Sequence, residues 1–142
     1  MKTLVSGEAG GAPLVLRAPL SFWGGLEAAT GKVIDPWHPD AGCVLTGRVL
    51  MMDRGRGSSS GASVLAEAIR LGTAPAAILL RFPDEIITTG ALVAATLYGR
   101  NCPVIWVTDT DHWARCAAAG YVQVTATETT VNLRPQGRAS LA

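Results

Sequence analysis

The sequence predicts a mixed α/β domain: a β barrel or sandwich joined to a βαβ-like layer with two or three helices. Three observations predict it. Short alternating segments separated by Gly, Pro and Asp fill the first third of the chain. At Ser60 the apolar period changes from two to that of a helix. Two short, wholly apolar runs follow, Ala76 to Leu80 and Pro103 to Thr108, of the kind buried in a sheet covered on both faces.

In chain order, strands are expected at Thr3 to Val5, Leu14 to Leu16, Lys32 to Ile34 and Val44 to Met51. Val64, Leu65, Ala68, Ile69 and Leu71 share one helical face, and Gly72 followed by Pro75 ends that helix. The Ala-rich stretch Thr89 to Tyr98, closed by Gly99, predicts a second helix. Asp109 to Ala119 predicts a third, with Asp109 or Thr110 as N-cap and Gly120 as C-cap. Tyr121 to Val124 and Thr129 to Leu133 alternate as a closing hairpin, and the polar stretch from Pro135 onward is expected to fray. No fixed-period repeat and no linker divides the chain, so residues 1–134 are read as one domain and 135–142 as a flexible tail.

With 142 residues, such a domain buries roughly 68% of the surface its unfolded chain exposes. Apolar residues make up 49% and charged residues 16%, with a net charge of +1. That balance argues against disorder and against an electrostatically driven nucleic-acid binder. The start, MKTLVSGEAGGAP, is interrupted by Glu8 and glycines before a signal-type core develops, and no apolar run reaches the roughly 18 residues of a membrane span. Cys43, Cys102 and Cys116 form no CxxC pair, and their spacings of 59 and 14 residues do not resemble a cluster-binding run. They are read as idle or buried thiols in a reducing, cytoplasmic setting, with no metal held by this chain.

The stretch DRGRGSSSGAS, Asp53 to Ser63, joins the fourth expected strand to the first helix. A strand, a glycine-rich turn and a helix start form an anion site, because backbone N–H groups converge there and the helix end carries partial positive charge. Arg54 and Arg56 add donors for a carboxylate or phosphate. GRGSSSG reads GxGxxxG, one residue off the dinucleotide fingerprint, and it lacks the Lys of a phosphate-binding P-loop. The plain alternative is a solvated loop whose Ser60 caps the helix.

RGRGSSS after a strand, PLSFWGGLEAATGKVIDPWHPDAG upstream and IRLGTAPAAILLRFPDEIITTGALVAATLYG downstream resemble the small subunit, or swivel domain, of the aconitase X family. The resemblance runs from about Ala18 to Gly99 with the motifs in the family's order. It implies a swivelling β/β/α domain that closes over a substrate, paired with a large subunit carrying an iron–sulfur cluster or metal. Known members are dehydratases, among them cis-3-hydroxy-L-proline dehydratase and the archaeal mevalonate 5-phosphate dehydratase. The resemblance further implies that a loop serine removes the proton α to the carboxylate, and Ser58 matches that position. Arg56, Gly57, Ser59 and Ser60 are then the substrate-binding residues. The substrate expected is a small hydroxy acid, cis-3-hydroxy-L-proline ahead of mevalonate 5-phosphate. A non-catalytic anion-binding module and a structural subunit are the rivals.

Other residues carry weaker readings. Phe22 and Trp23 line a cleft or pack in the core. Asp35 and His38 are active-site groups or ordinary turn formers before proline. Asp84 and Glu85 complement a helix dipole; Thr88, Thr89 and Gly90 are candidate ligand contacts. Trp37, Trp106 and Trp113 suit either an obligate interface or the core, and His112 is placed on a helix surface.

Overall fold

Parallel strands buried on both faces need apolar side chains in both directions, and three runs of this chain satisfy that. In the computed structural model, which describes residues 1–138, Val49–Met52 (β6), Ala77–Leu80 (β7) and Val104–Trp106 (β8) lie parallel at the centre of a five-stranded sheet. Pro13–Val15 (β3) extends it in parallel beside β6, and Lys2–Val5 (β1) closes the other edge antiparallel to β8. The period of two sorts the side chains. Leu50, Met52, Ile78, Leu80 and Val104 point into one core, and Val49, Met51, Ala77, Leu79 and Ile105 into the other.

The first core is covered by two helices, Gly61–Leu71 (α2) and Glu85–Tyr98 (α3). Leu65, Ala68 and Ile69 give α2 its buried stripe, and Gly72 ends it in the left-handed conformation at φ 79°, where glycine costs least. Gly90 lets the helices approach closely, since a β-carbon there would lie 2.7 Å from the carbonyl oxygen of Ala62. Asp84 caps α3 by accepting the N–H of Ile87 at 2.9 Å. The second core lies under a three-stranded antiparallel sheet of Gly7–Gly11 (β2), Tyr121–Ala126 (β9) and Val131–Gln136 (β10), with Cys116 of the helix Thr110–Ala118 (α4) packed into it.

The mixed α/β expectation therefore holds, with sheets stacked as a sandwich rather than closed as a barrel. Local boundaries differ. The expected strand at Val44 to Met51 begins only at Val49, because Gly47 turns at φ 71°. α3 starts four residues before Thr89, at the Asp84 cap. α4 stops at Ala118, with Ala119 rather than Gly120 as its C-cap. β10 runs on through Pro135 and Gln136, paired with Val122 and Tyr121, and the tail residues 139–142 lie outside the described residues. Between β3 and β6 the chain makes a single kinked turn, Phe22–Gly25 (α1), and a small hairpin of Leu26–Glu27 (β4) with Lys32–Val33 (β5).

Candidate active site on the serine loop

In a parallel sheet, loops leaving the carboxyl ends of adjacent strands share one rim, and ligands gather there. Here those loops are 16–21 after β3, 53–60 after β6 and 81–84 after β7. The serine loop is pinned against the first of them. Leu20 and Gly55 form a parallel bridge, and the Arg56 N–H donates to the carbonyl of Leu20 at 3.2 Å. Gly55 is buried, and a β-carbon on it would come within 2.9 Å of both Asp84 Oδ2 and Ile87 Cδ1. Gly57, at φ 96°, lies over the side chain of Ser21, whose Cβ is 2.8 Å from where a β-carbon would stand.

From Ser58 the chain winds into α2. Gly61 N–H donates to the carbonyl of Ser58 at 2.9 Å, Ala62 to Ser59 at 3.1 Å and Ser63 to Ser60 at 3.1 Å. Ser60 occupies the N-cap position, but its hydroxyl makes no capping bond; backbone carbonyls supply the turn instead. The hydroxyl in use is that of Ser58, whose Oγ accepts the N–H of Ser60 at 3.1 Å. A hydrogen bond donated into that oxygen, beside the positive end of an 11-residue helix, favours its negatively charged form. Arg56, Gly57, Ser58, Ser59 and Ser60 are all exposed, so the structure gathers the predicted site residues on an open rim.

The two arginines diverge. Arg54 lies over the ring of Phe82, its guanidinium carbon 5.0 Å from the centroid. Arg56 faces the carboxylate of Asp35 with 4.0 Å between Nη2 and Oδ2. Asp35 comes from the turn 35–40, and its Oδ1 accepts the N–H of Trp37 at 3.0 Å. His38 is buried in that turn with both ring nitrogens satisfied by backbone: Nδ1 accepts the N–H of Asp40 at 3.0 Å, and Nε2 lies 3.0 Å from the carbonyl of Ala18, to which it donates. Burial pushes the Asp40 carboxyl upward, but the N–H and guanidinium of Arg17 outweigh it and hold the group below its ordinary 3.8. His38 is thus a structural tie between turn and rim, and Asp35 is the side chain of IDPWHPDAG that reaches the site.

The remaining candidates separate in the same way. Phe22 is buried, whereas Trp23 and Trp37 are exposed, Trp37 to 91%. Trp106 donates Nε1–H to the carbonyl of Arg81 at 3.1 Å, and Arg81 lies over Trp113, so those two rings pack the far side of the rim. Thr88 donates its hydroxyl to the carbonyl of Asp84 at 2.7 Å, a helix contact. His112 lies with Nε2 3.1 Å from the carbonyl of Leu133, bracing α4 on β10. Ser21, which supports Gly57 and hydrogen-bonds the carbonyl of Trp23 at 2.9 Å, is a site neighbour that spacing alone does not reveal. Cys102 and Cys116 are buried, and among the described residues no group of three His, Cys, Asp or Glu side chains is placed to hold a metal ion.

The family model of the aconitase X swivel domain matches residues 1–133. The chain belongs to the aconitase X swivel-domain family. It is 52% identical over 103 residues to cis-3-hydroxy-L-proline dehydratase of Pseudomonas aeruginosa, covering 72% of this chain and 18% of that protein. To the enzyme of the same name from Hypocrea jecorina it is 39% identical, covering 84% of this chain and 20% of the relative. The chain therefore spans about a fifth of the length of these two relatives. It is also 41% identical over 93 residues to the phosphomevalonate dehydratase small subunit of Methanothermobacter thermautotrophicus, covering 66% of this chain and 71% of that one. The crystal structure of Thermococcus kodakaraensis aconitase X in its holo form superimposes with a TM-score of 0.75 at 28% identity, over 94% of this chain and 95% of that chain. The swivel-domain fold inferred from the serine motif and its flanks is thus shared across the whole β/β/α framework.

Proposed function

We propose that this swivel domain is the small subunit of a heteromeric aconitase X-type hydro-lyase that dehydrates cis-3-hydroxy-L-proline. The observation that carries the reading is the serine loop itself: Ser58, with a backbone N–H donated into its oxygen, stands exposed at the start of α2 beside Arg56. Arg56 binds the substrate carboxylate through its guanidinium. Ser58, as alkoxide, takes the proton from the carbon α to that carboxylate and becomes the neutral hydroxyl. The electron pair of the broken C–H bond forms the new double bond toward the hydroxyl-bearing carbon, whose C–O bond breaks to release hydroxide; the proton taken by Ser58 then passes to that hydroxide, giving water and restoring the alkoxide. Gly57 shapes the turn, while Ser59 presents its N–H and hydroxyl, and Ser60 its hydroxyl, to the substrate.

A rim open to water cannot complete this reaction alone, because a water-excluded site is what makes such hydrogen bonds effective. The large subunit closes the site and carries the iron–sulfur cluster or metal ion that assists departure of the hydroxyl. The pair works in the cytoplasm on a small-molecule substrate, without nucleic acid or membrane. The hydroxyproline substrate is favoured over mevalonate 5-phosphate by the higher identity to the enzyme from Pseudomonas aeruginosa.

Co-expression with an aconitase X large subunit tests the proposal. Turnover of cis-3-hydroxy-L-proline is expected from the pair and from neither chain alone. Dehydration by this chain in the absence of any partner overturns the division of labour, and turnover of mevalonate 5-phosphate in its place overturns the substrate.

A further inference from the structure

We infer that Asp35 is a positioning residue that holds the Arg56 guanidinium in its substrate-binding orientation, an inference that rests on the reading of Arg56 given above. Arg56 sits on a glycine-rich loop with its side chain 65% exposed, anchored through its backbone N–H to Leu20. A long side chain so placed samples many rotamers, and ordering it on substrate binding costs affinity. Asp35 is the acidic partner within 4.0 Å of it among the described residues.

Asp35, by contrast, is held fast. Its Oδ1 is committed to the Trp37 N–H, its carbonyl accepts the His38 N–H at 3.1 Å, and the preceding Ile34 N–H donates to Gly25 at 2.8 Å. His38 and Asp40 then tie the same turn to Ala18 and Arg17, on the strand-end loop that also carries Leu20. The turn and the serine loop are thus fixed to one segment, and Oδ2 is left pointing at Arg56. At 4.0 Å the carboxylate acts on Nη2 as a neighbouring opposite charge without accepting a hydrogen bond, so the guanidinium keeps its N–H donors for an incoming carboxylate. An exposed pair of this kind adds little to stability. Its effect falls on orientation, and therefore on substrate affinity.

The test uses the complex reconstituted with its large subunit, with Asp35→Asn, Asp35→Glu and Arg56→Lys. Asparagine keeps an oxygen for the Trp37 N–H, so the turn persists and only the charge is lost. Asp35→Asn is expected to raise KM for cis-3-hydroxy-L-proline about tenfold with kcat within about twofold, as loss of uniform binding does. Asp35→Glu is expected to recover part of that loss. In the Arg56→Lys background the same change adds less than about twofold, the coupling expected of residues acting as one unit. An unchanged KM for Asp35→Asn, where Arg56→Lys raises it, overturns the role of Asp35 and leaves that of Arg56 standing. A KM unmoved by Arg56→Lys, or a pair that does not turn over this substrate, removes the carboxylate-binding reading first. The pairing has its own readout in that case: the Arg56 Nε–H resonance of the full chain is expected to shift in Asp35→Asn, and an unmoved resonance overturns the inference whatever the substrate.

Discussion

Gly57 lies over the side chain of Ser21 so closely that no β-carbon fits between them. The positive φ of 96° and this contact together fix the loop just before Ser58. Gly57→Ala places a β-carbon in a left-handed conformation and against Ser21, a strain of about 1–3 kcal/mol. Lower melting temperature and loss of turnover in the complex are expected together, with binding to the large subunit retained. Ser21→Gly in the same chain relieves the contact but not the backbone strain, so recovery should be partial.

Asp84 caps α3 and also stands within 2.9 Å of the place a Gly55 β-carbon would occupy. Asp84→Ala removes the acceptor for the Ile87 N–H and is expected to cost about 1 kcal/mol of stability, the usual value of an N-cap carboxylate. Urea denaturation reads this directly. An unchanged midpoint contradicts the cap.

Much of this was legible beforehand because parallel strands announce themselves. β6, β7 and β8 are apolar at every position since both faces are covered, and α2 carries its stripe in eleven residues with its stop signal, Gly72, directly after them. β2 was not legible: GEAGG has neither alternation nor β-branched residues, and it forms a strand because small residues are required where Gly11 meets the carbonyl of Gly47 and Gly10 the side chains of Tyr121 and Gln123. The serine loop stood out by composition, but the approach of Asp35 to Arg56 and of Ser21 to Gly57 joins segments 21 and 36 positions apart. No local spacing encodes such contacts. His38 shows the reverse case: of the two readings open to it the structure takes the turn former, a residue type suited to catalysis whose ring is consumed by two backbone bonds.

The thiols should divide by burial. Desolvation pushes Cys102 up to about 12 and raises Cys116 above its ordinary value, whereas Cys43 is partly exposed. Iodoacetamide at pH 8 is expected to label Cys43 in the native chain and all three cysteines after denaturation. The same shift sets a pH dependence. The unfolded thiol of Cys102 ionises near 9.0 while the folded one stays protonated to about 12, so stability is full below pH 9 and is lost as pH rises through that interval. A melting temperature independent of pH between 9 and 11 contradicts this.

Ser58→Ala, assayed for cis-3-hydroxy-L-proline dehydration in the assembled complex, tests the central claim most directly. If Ser58 is the base proposed above, removing its oxygen while leaving the Gly57 turn and α2 intact should lower kcat by on the order of a hundredfold or more. Turnover close to that of the unaltered complex would contradict the catalytic assignment and leave the loop as a site of anion recognition.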